Sequence, residues 1–99
     1  MKKTNNALKI LENIHRTDPE LQEIVITASM NAEVAQLIYE ARTQAGLTQK
    51  QLADLVGTKQ PVIARLEDAD YEGHSLSMLQ KIASALNKQV KISLTPIVR

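Results

Sequence analysis

The sequence predicts an all-α fold closed by a short C-terminal β-strand, and three observations predict it. Apolar side chains recur at helical spacing through most of the 99 residues, and nearly all are Leu, Ile, Val or Ala, with no Phe and no Trp. Capping signatures cut the chain into short helical segments. Only at Val90, Ile92 and Leu94, set between Gln89, Lys91 and Ser93, does the period become that of a strand.

The elements follow in order. Ala7, Leu8, Leu11 and Ile14 share one helical face, so residues 5–15 read as an amphipathic helix with few neighbours to pack on. Thr17-Asp18-Pro19-Glu20 is a helix start: a capping side chain, Pro in the first turn, and Glu three residues after Thr. Leu21, Ile24, Val25 and Ala28 then form an apolar stripe. Ser29-Met30-Asn31-Ala32-Glu33 offers another cap, so a break or bend is expected there. From Ala32 to Ala45 the stripe is Val34, Leu37, Ile38 and Ala41, and Gly46 is a natural left-handed terminator.

Thr48-Gln49-Lys50-Gln51 is a capping box opening a short helix that buries Leu52, Ala53 and Val56, and Gly57 stops it. Thr58 is expected to cap the next helix, which runs to about Glu67 with Ile63 and Leu66 inward. Pro61 sits in its first turn, where the missing N–H removes no internal bond. After a polar stretch from Asp68 to Ser75, a last helix carries Leu76, Leu79, Ile82, Ala83 and Leu86. Pro96 ends the strand.

Several chemistries are excluded by composition. With no cysteine there is no disulfide, no thiolate metal site and no Cys nucleophile, which fits a reducing cytoplasm. No apolar run reaches the ~20 residues that span a bilayer, and the N-terminal segment lacks the apolar region of a signal peptide. No Ser/His/Asp arrangement, Gly-rich phosphate loop or metal motif occurs, so neither an enzyme nor a cofactor is expected. His15 and His74 read as surface residues rather than metal ligands. The near-balanced charge of +1 hides an uneven distribution. Lys2, Lys3, Lys9 and Arg16 face only Glu12 in the first 17 residues, and Lys81, Lys88, Lys91 and Arg99 face no acid after residue 80. The middle is acidic, so electrostatics alone does not announce a nucleic-acid partner.

The two short helices joined at a single Gly carry the functional reading. Such a junction swings the second helix sharply across the first, as in a helix-turn-helix, whose second helix can enter a major groove. The residues from Gly46 to Glu67 (GLTQKQLADLVGTKQPVIARLE) closely resemble the Cro/C1-repressor (XRE) family of helix-turn-helix domains, with Ala53, Gly57, Ile63, Arg65 and Glu67 at family spacing. The resemblance covers roughly residues 32–88 and implies a lambda-repressor-like, five-helix DNA-binding domain. The flanks more loosely resemble HigA-type antitoxins, which implies a repressor that also neutralises a RelE/HigB-like ribonuclease toxin. The expected organisation is an N-terminal helical extension over 1–30, the helix-turn-helix domain over 31–88, and a strand or tail over 89–99.

Residue roles follow from the resemblance. Thr48 and Gln49 match the opening of the helix before the reading helix, with Gln49 at the family's phosphate-gripping position. Lys59, Gln60, Pro61 and Val62 fall in the first turn of the reading helix, with Lys59, Gln60 and Val62 toward the groove. Gln60 suits adenine, Lys59 or Arg65 suits guanine, and Val62 suits a thymine methyl. Arg65 reads equally as a base contact or as solvated surface. Many family members have Ser where Lys59 stands, which moves the cap to Thr58 or removes it. Arg42 and Glu67 match a structural ion pair of the family. Double-stranded operator DNA and a second copy are the expected partners, with a toxin as a third. Leu8, Leu11 and Ile14, together with Val90, Ile92 and Leu94, are the candidate partner-binding residues. The strand pairs with its own domain, with a second subunit, or with another protein. The rival readings are a stand-alone phage-like repressor and a protein-interaction module without DNA binding.

Overall fold

The computed structural model describes residues 18–97. Among them are four α-helices: α1 Pro19–Gln44, α2 Gln49–Val56, α3 Gln60–Leu66 and α4 Leu76–Ala85. Leu8, Leu11 and Ile14, with the helix expected over 5–15, lie outside the described residues.

The start of α1 is fixed locally. Asp18 stays extended and its carboxylate accepts the N–H groups of Glu20 (3.0 Å) and Leu21 (3.4 Å), two donors a helix start leaves without internal partners. The helix then runs unbroken for 26 residues, about 39 Å. The break expected at residues 29–33 does not form. Ser29 and Asn31 can cap a helix, but Ala28, Met30, Ala32 and Glu33 around them are good helix formers, and continuation wins. The boundary expected between residues 30 and 31 therefore falls inside α1.

The last ten residues of α1 reach the core. Ala35, Ile38 and Arg42 are its buried residues, three and four apart on one face. Leu21, Ile24, Ile26 and Met30, farther up, are exposed. Gly46, at φ +74°, turns the chain, and the Leu47 N–H closes on the Arg42 carbonyl at 3.2 Å.

α2 opens on a reciprocal cap: the Gln51 N–H donates to Thr48 Oγ1 (3.0 Å), and the Thr48 N–H donates to Gln51 Oε1 (2.8 Å). Gly57, at φ +87°, closes the helix, and the N–H groups of Gly57 and Thr58 both return to the Ala53 carbonyl at 2.9 Å. α2 packs against α3 and α4. Leu52 and Ile63 meet at the centre with 0% exposure, ringed by Ile38, Ala53, Leu66 and Ile82. Val34, Val56, Met78, Leu79 and Leu86 close the core from outside.

Three expectations are corrected. The described residues form four helices rather than the five expected of a lambda-repressor-like domain, because the two segments expected over 18–45 are one helix. No strand occurs among the described residues: 88–97 carry the alternation, but a strand exists only when another edge takes up its backbone groups. Val90, Ile92 and Leu94 are exposed, Leu94 by 99%. His74 is half-buried instead of lying on the surface. The loop after α3 folds back so that its Nε2–H donates to the Leu66 carbonyl (2.7 Å), with the ring edge-on to Tyr71 at 5.0 Å.

Candidate nucleic-acid interface

The sharp junction at Gly57 sends α3 across α2, with Ile63 and Leu66 turned into the core. Lys59, Gln60, Pro61 and Arg65 remain exposed on the outer side of α3 and its cap. Val62 is half-buried and packs against the core, so only part of its side chain is left for a groove. The helix begins at Gln60, with Lys59 as its extended cap and no side-chain hydrogen bond there. Thr58 does not cap it, so the cap is lost rather than moved. Pro61 fills the first turn, where no internal bond needs its N–H.

Beneath this surface lies the ion pair. Arg42 Nε donates to Glu67 Oε2 at 2.6 Å and Nη2 to Oε1 at 2.9 Å, a two-pronged match of planar guanidinium to carboxylate. Nη1 donates to the Leu47 carbonyl at 2.8 Å, tying the end of α1 to the turn before α2. The two side chains are 10% and 5% exposed. The Glu67 hydrogen bond raises the Arg42 pKa above its ordinary value, with burial opposing. The pair is charged on both sides and pins α1 to the C-terminal end of α3. Tyr39 lies against the same guanidinium, 5.4 Å from its carbon to the ring centre.

The pair extends outward through amides. Gln49 Nε2 donates to Glu67 Oε1 at 3.1 Å, and Gln60 Nε2 donates to Gln49 Oε1 at 2.7 Å. Four residues, from α1, α2 and the two ends of α3, thus form one line from the buried guanidinium to the exposed Gln60. Sequence reasoning paired Arg42 with Glu67 and treated Gln49 and Gln60 as separate contacts. It missed their link, for which only the acceptor-only nature of Glu67 beside two glutamines gave a signal.

Other charges near the reading helix are weaker. Lys50 and Asp54 pair at 3.3 Å with both ends in solvent, which is worth little. Asp68, Asp70 and Glu72 are exposed after α3, and Asp68 Oδ1 accepts the Asp70 N–H at 2.9 Å in a local turn. That loop is acidic, and the exposed cations between the start of α2 and the end of α3 are Lys50, Lys59 and Arg65.

Of the remaining candidate residues, Val90 borders an apolar groove of about 250 Å³ between α1 and α4, lined by Val34, Leu37, Ala41, Leu79 and Leu86. Ile92 and Leu94 extend beyond it into solvent. The described residues contain no helix long and apolar enough to cross a membrane.

Comparison with known proteins places this geometry. A profile of the helix-turn-helix family matches residues 38–92, from the core-facing part of α1 through the groove-bordering tail. An uncharacterised HTH-type transcriptional regulator of Haemophilus influenzae is 32% identical over 71 residues, covering 72% of this chain and 71% of its own length. The family match takes in Arg42, Gln49, Gln60 and Glu67 and leaves out residues 19–37 of α1, the buried Ala35 among them.

Proposed function

The chain belongs to the helix-turn-helix family, and from that premise we propose that it is a sequence-specific DNA-binding transcriptional repressor acting as a homodimer. One observation carries this reading: the Gln60 amide stands exposed at the start of α3, braced by Gln49, with Lys59 and Arg65 exposed beside it. α3 enters a major groove about 12 Å wide with this edge toward the bases. Gln60 takes adenine, Lys59 or Arg65 takes guanine O6/N7, and the uncovered part of Val62 meets a thymine methyl. Thr48 and Gln49 lie at the start of α2 against a phosphate, and Pro61 shapes the turn between them and the bases.

Among the described residues few cations surround this edge, so one copy binds weakly. Two copies bind half-sites about 34 Å apart, one helical turn. The test is a mobility shift at low salt on the protein's own promoter, with wild type and Gln60→Ala. A shift for wild type that Gln60→Ala weakens is expected, and no wild-type shift refutes the reading.

A second role, as the antitoxin that neutralises a RelE/HigB-like ribonuclease and represses their shared operon, is supported by the exposed apolar side chains away from α3. Leu21, Ile24, Ile26 and Met30 on α1, and Ile92, Leu94 and Ile97 in the tail, suit a protein partner. In this reading Leu8, Leu11 and Ile14 extend the grip, as an amphipathic helix laid in a groove. Co-expression with the neighbouring gene tests it: co-purification, lost when residues 1–16 are deleted, is expected. A chain that purifies without the neighbour's product is a stand-alone repressor.

A further inference from the structure

The direction of every hydrogen bond between Arg42 and Gln60 is dictated by Glu67. An ionised carboxylate only accepts, and Arg42 holds it with two donors, at 2.6 and 2.9 Å. Any amide reaching Oε1 must therefore offer its nitrogen, and Gln49 Nε2 lies 3.1 Å away. Gln49 Oε1 is then turned toward Gln60, which can meet it only with nitrogen, at 2.7 Å. Flipping Gln49 alone sets oxygen against oxygen at Glu67 and nitrogen against nitrogen at Gln60. Flipping Gln60 alone sets oxygen against oxygen at Gln49. The polarity of both glutamines originates in a carboxylate that is itself nearly buried.

We propose that Glu67 is a positioning residue that confines Gln60 to adenine, an inference that rests on the DNA-reading role above. One N–H of Gln60 is committed to Gln49. What remains for a base is the oxygen acceptor and a single N–H donor. Adenine presents the matching donor and acceptor, N6–H and N7, whereas guanine presents two acceptors, O6 and N7. Pairing with guanine needs both N–H groups turned outward, and Gln49 Oε1 holds one of them back.

Replacing the carboxylate by an amide, Glu67→Gln, reverses the sequence of directions. With its oxygen kept on Arg42 Nε, where the wild-type contact is shortest at 2.6 Å, the new amide gives up the 2.9 Å bond from Nη2 and turns nitrogen toward Gln49. Gln49 then answers with Oε1 and offers Nε2 to the oxygen of Gln60. Both N–H groups of Gln60 are released, and guanine becomes acceptable.

The experiment uses full-length wild type, Glu67→Gln, Gln49→Met and Gln60→Ala. Wild type selects a site from a randomised duplex pool, and Gln60→Ala identifies the base pair whose preference depends on Gln60. Affinity is then measured with adenine and with guanine at that position. Wild type is expected to favour adenine by about tenfold or more, and the ratio should fall to parity or below in Glu67→Gln. It should also collapse in Gln49→Met, which leaves the Arg42–Glu67 pair in place and decides the matter alone if Glu67→Gln does not fold. A merely structural Glu67 lowers affinity for both bases together and leaves their ratio unchanged. An unchanged ratio in the folded variants overturns the role of Glu67 while the wild-type selection stands. A wild type that selects no site overturns the DNA-reading role itself.

Discussion

Arg42 and Glu67 lie 25 residues apart in sequence, yet their side chains meet fork to fork at 2.6 and 2.9 Å at the C-terminal end of α3. Removing one partner leaves the other charge nearly buried and uncompensated. Arg42→Ala is therefore expected to lower stability by roughly 3 kcal/mol, and a thermal melt checks it. Unchanged melting removes the structural role. Replacing both residues by Met should recover much of the loss. The hydrogen bond to Glu67 raises the folded-state pKa of Arg42. Its stabilisation is thus complete below the ordinary arginine range and is lost only as pH climbs through the raised value. The melting difference between wild type and Arg42→Ala should not shrink through alkalinity between about pH 7 and pH 10.

Gly57 tests the turn by itself. Its φ of +87° disfavours any side chain, but a Cβ there meets nothing within 4 Å. The cost of Gly57→Ala is then purely conformational, about 1–2 kcal/mol. Gly57→Asn should be milder, because Asn tolerates the left-handed region. A denaturant titration giving equal stability for Gly57→Ala and wild type contradicts this account.

Lys59 sets stability against binding. It occupies the cap of α3 without a side-chain hydrogen bond, so Lys59→Ser should stabilise the fold by about 0.5–1 kcal/mol. The same change removes a cation from the binding edge and should weaken DNA affinity. Melting and mobility shift on one variant must move in opposite directions, and a parallel change defeats the assignment.

Salt reports how sparsely the interface is charged. Among the described residues, Lys50, Lys59 and Arg65 are the exposed cations between the start of α2 and the end of α3, and the exposed Asp68, Asp70 and Glu72 follow. The slope of log affinity against log salt should be shallower than about −6 per monomer. A steeper slope, measured by fluorescence anisotropy, contradicts the sparse-contact interface.

What the sequence made legible was local. Asp18, the Thr48–Gln51 box, Gly46 and Gly57 act within three or four residues of themselves, and each punctuates the structure where it was expected. Arg42 and Glu67 came from family resemblance, because nothing local joins positions 25 apart. Their continuation to Gln60 depends on how three elements converge, which periodicity does not encode. Ser29 and Asn31 misled because capping ability competes with helix propensity, and their neighbours decide the contest. Val90, Ile92 and Leu94 misled because alternation describes one strand, whereas a sheet needs two. Gly73 was silent in sequence: a Cβ there would run into the Tyr71 hydroxyl, so the Tyr71 ring lies over the space a side chain would fill.

The unbroken course of α1 has a mechanical consequence. A flexible joint near Ser29 would absorb a push applied around Leu21 before it reached the body of the protein. A continuous rod instead delivers that push to Arg42, the residue that grips Glu67 at the end of α3. The chain carries a lever where its sequence suggested a hinge.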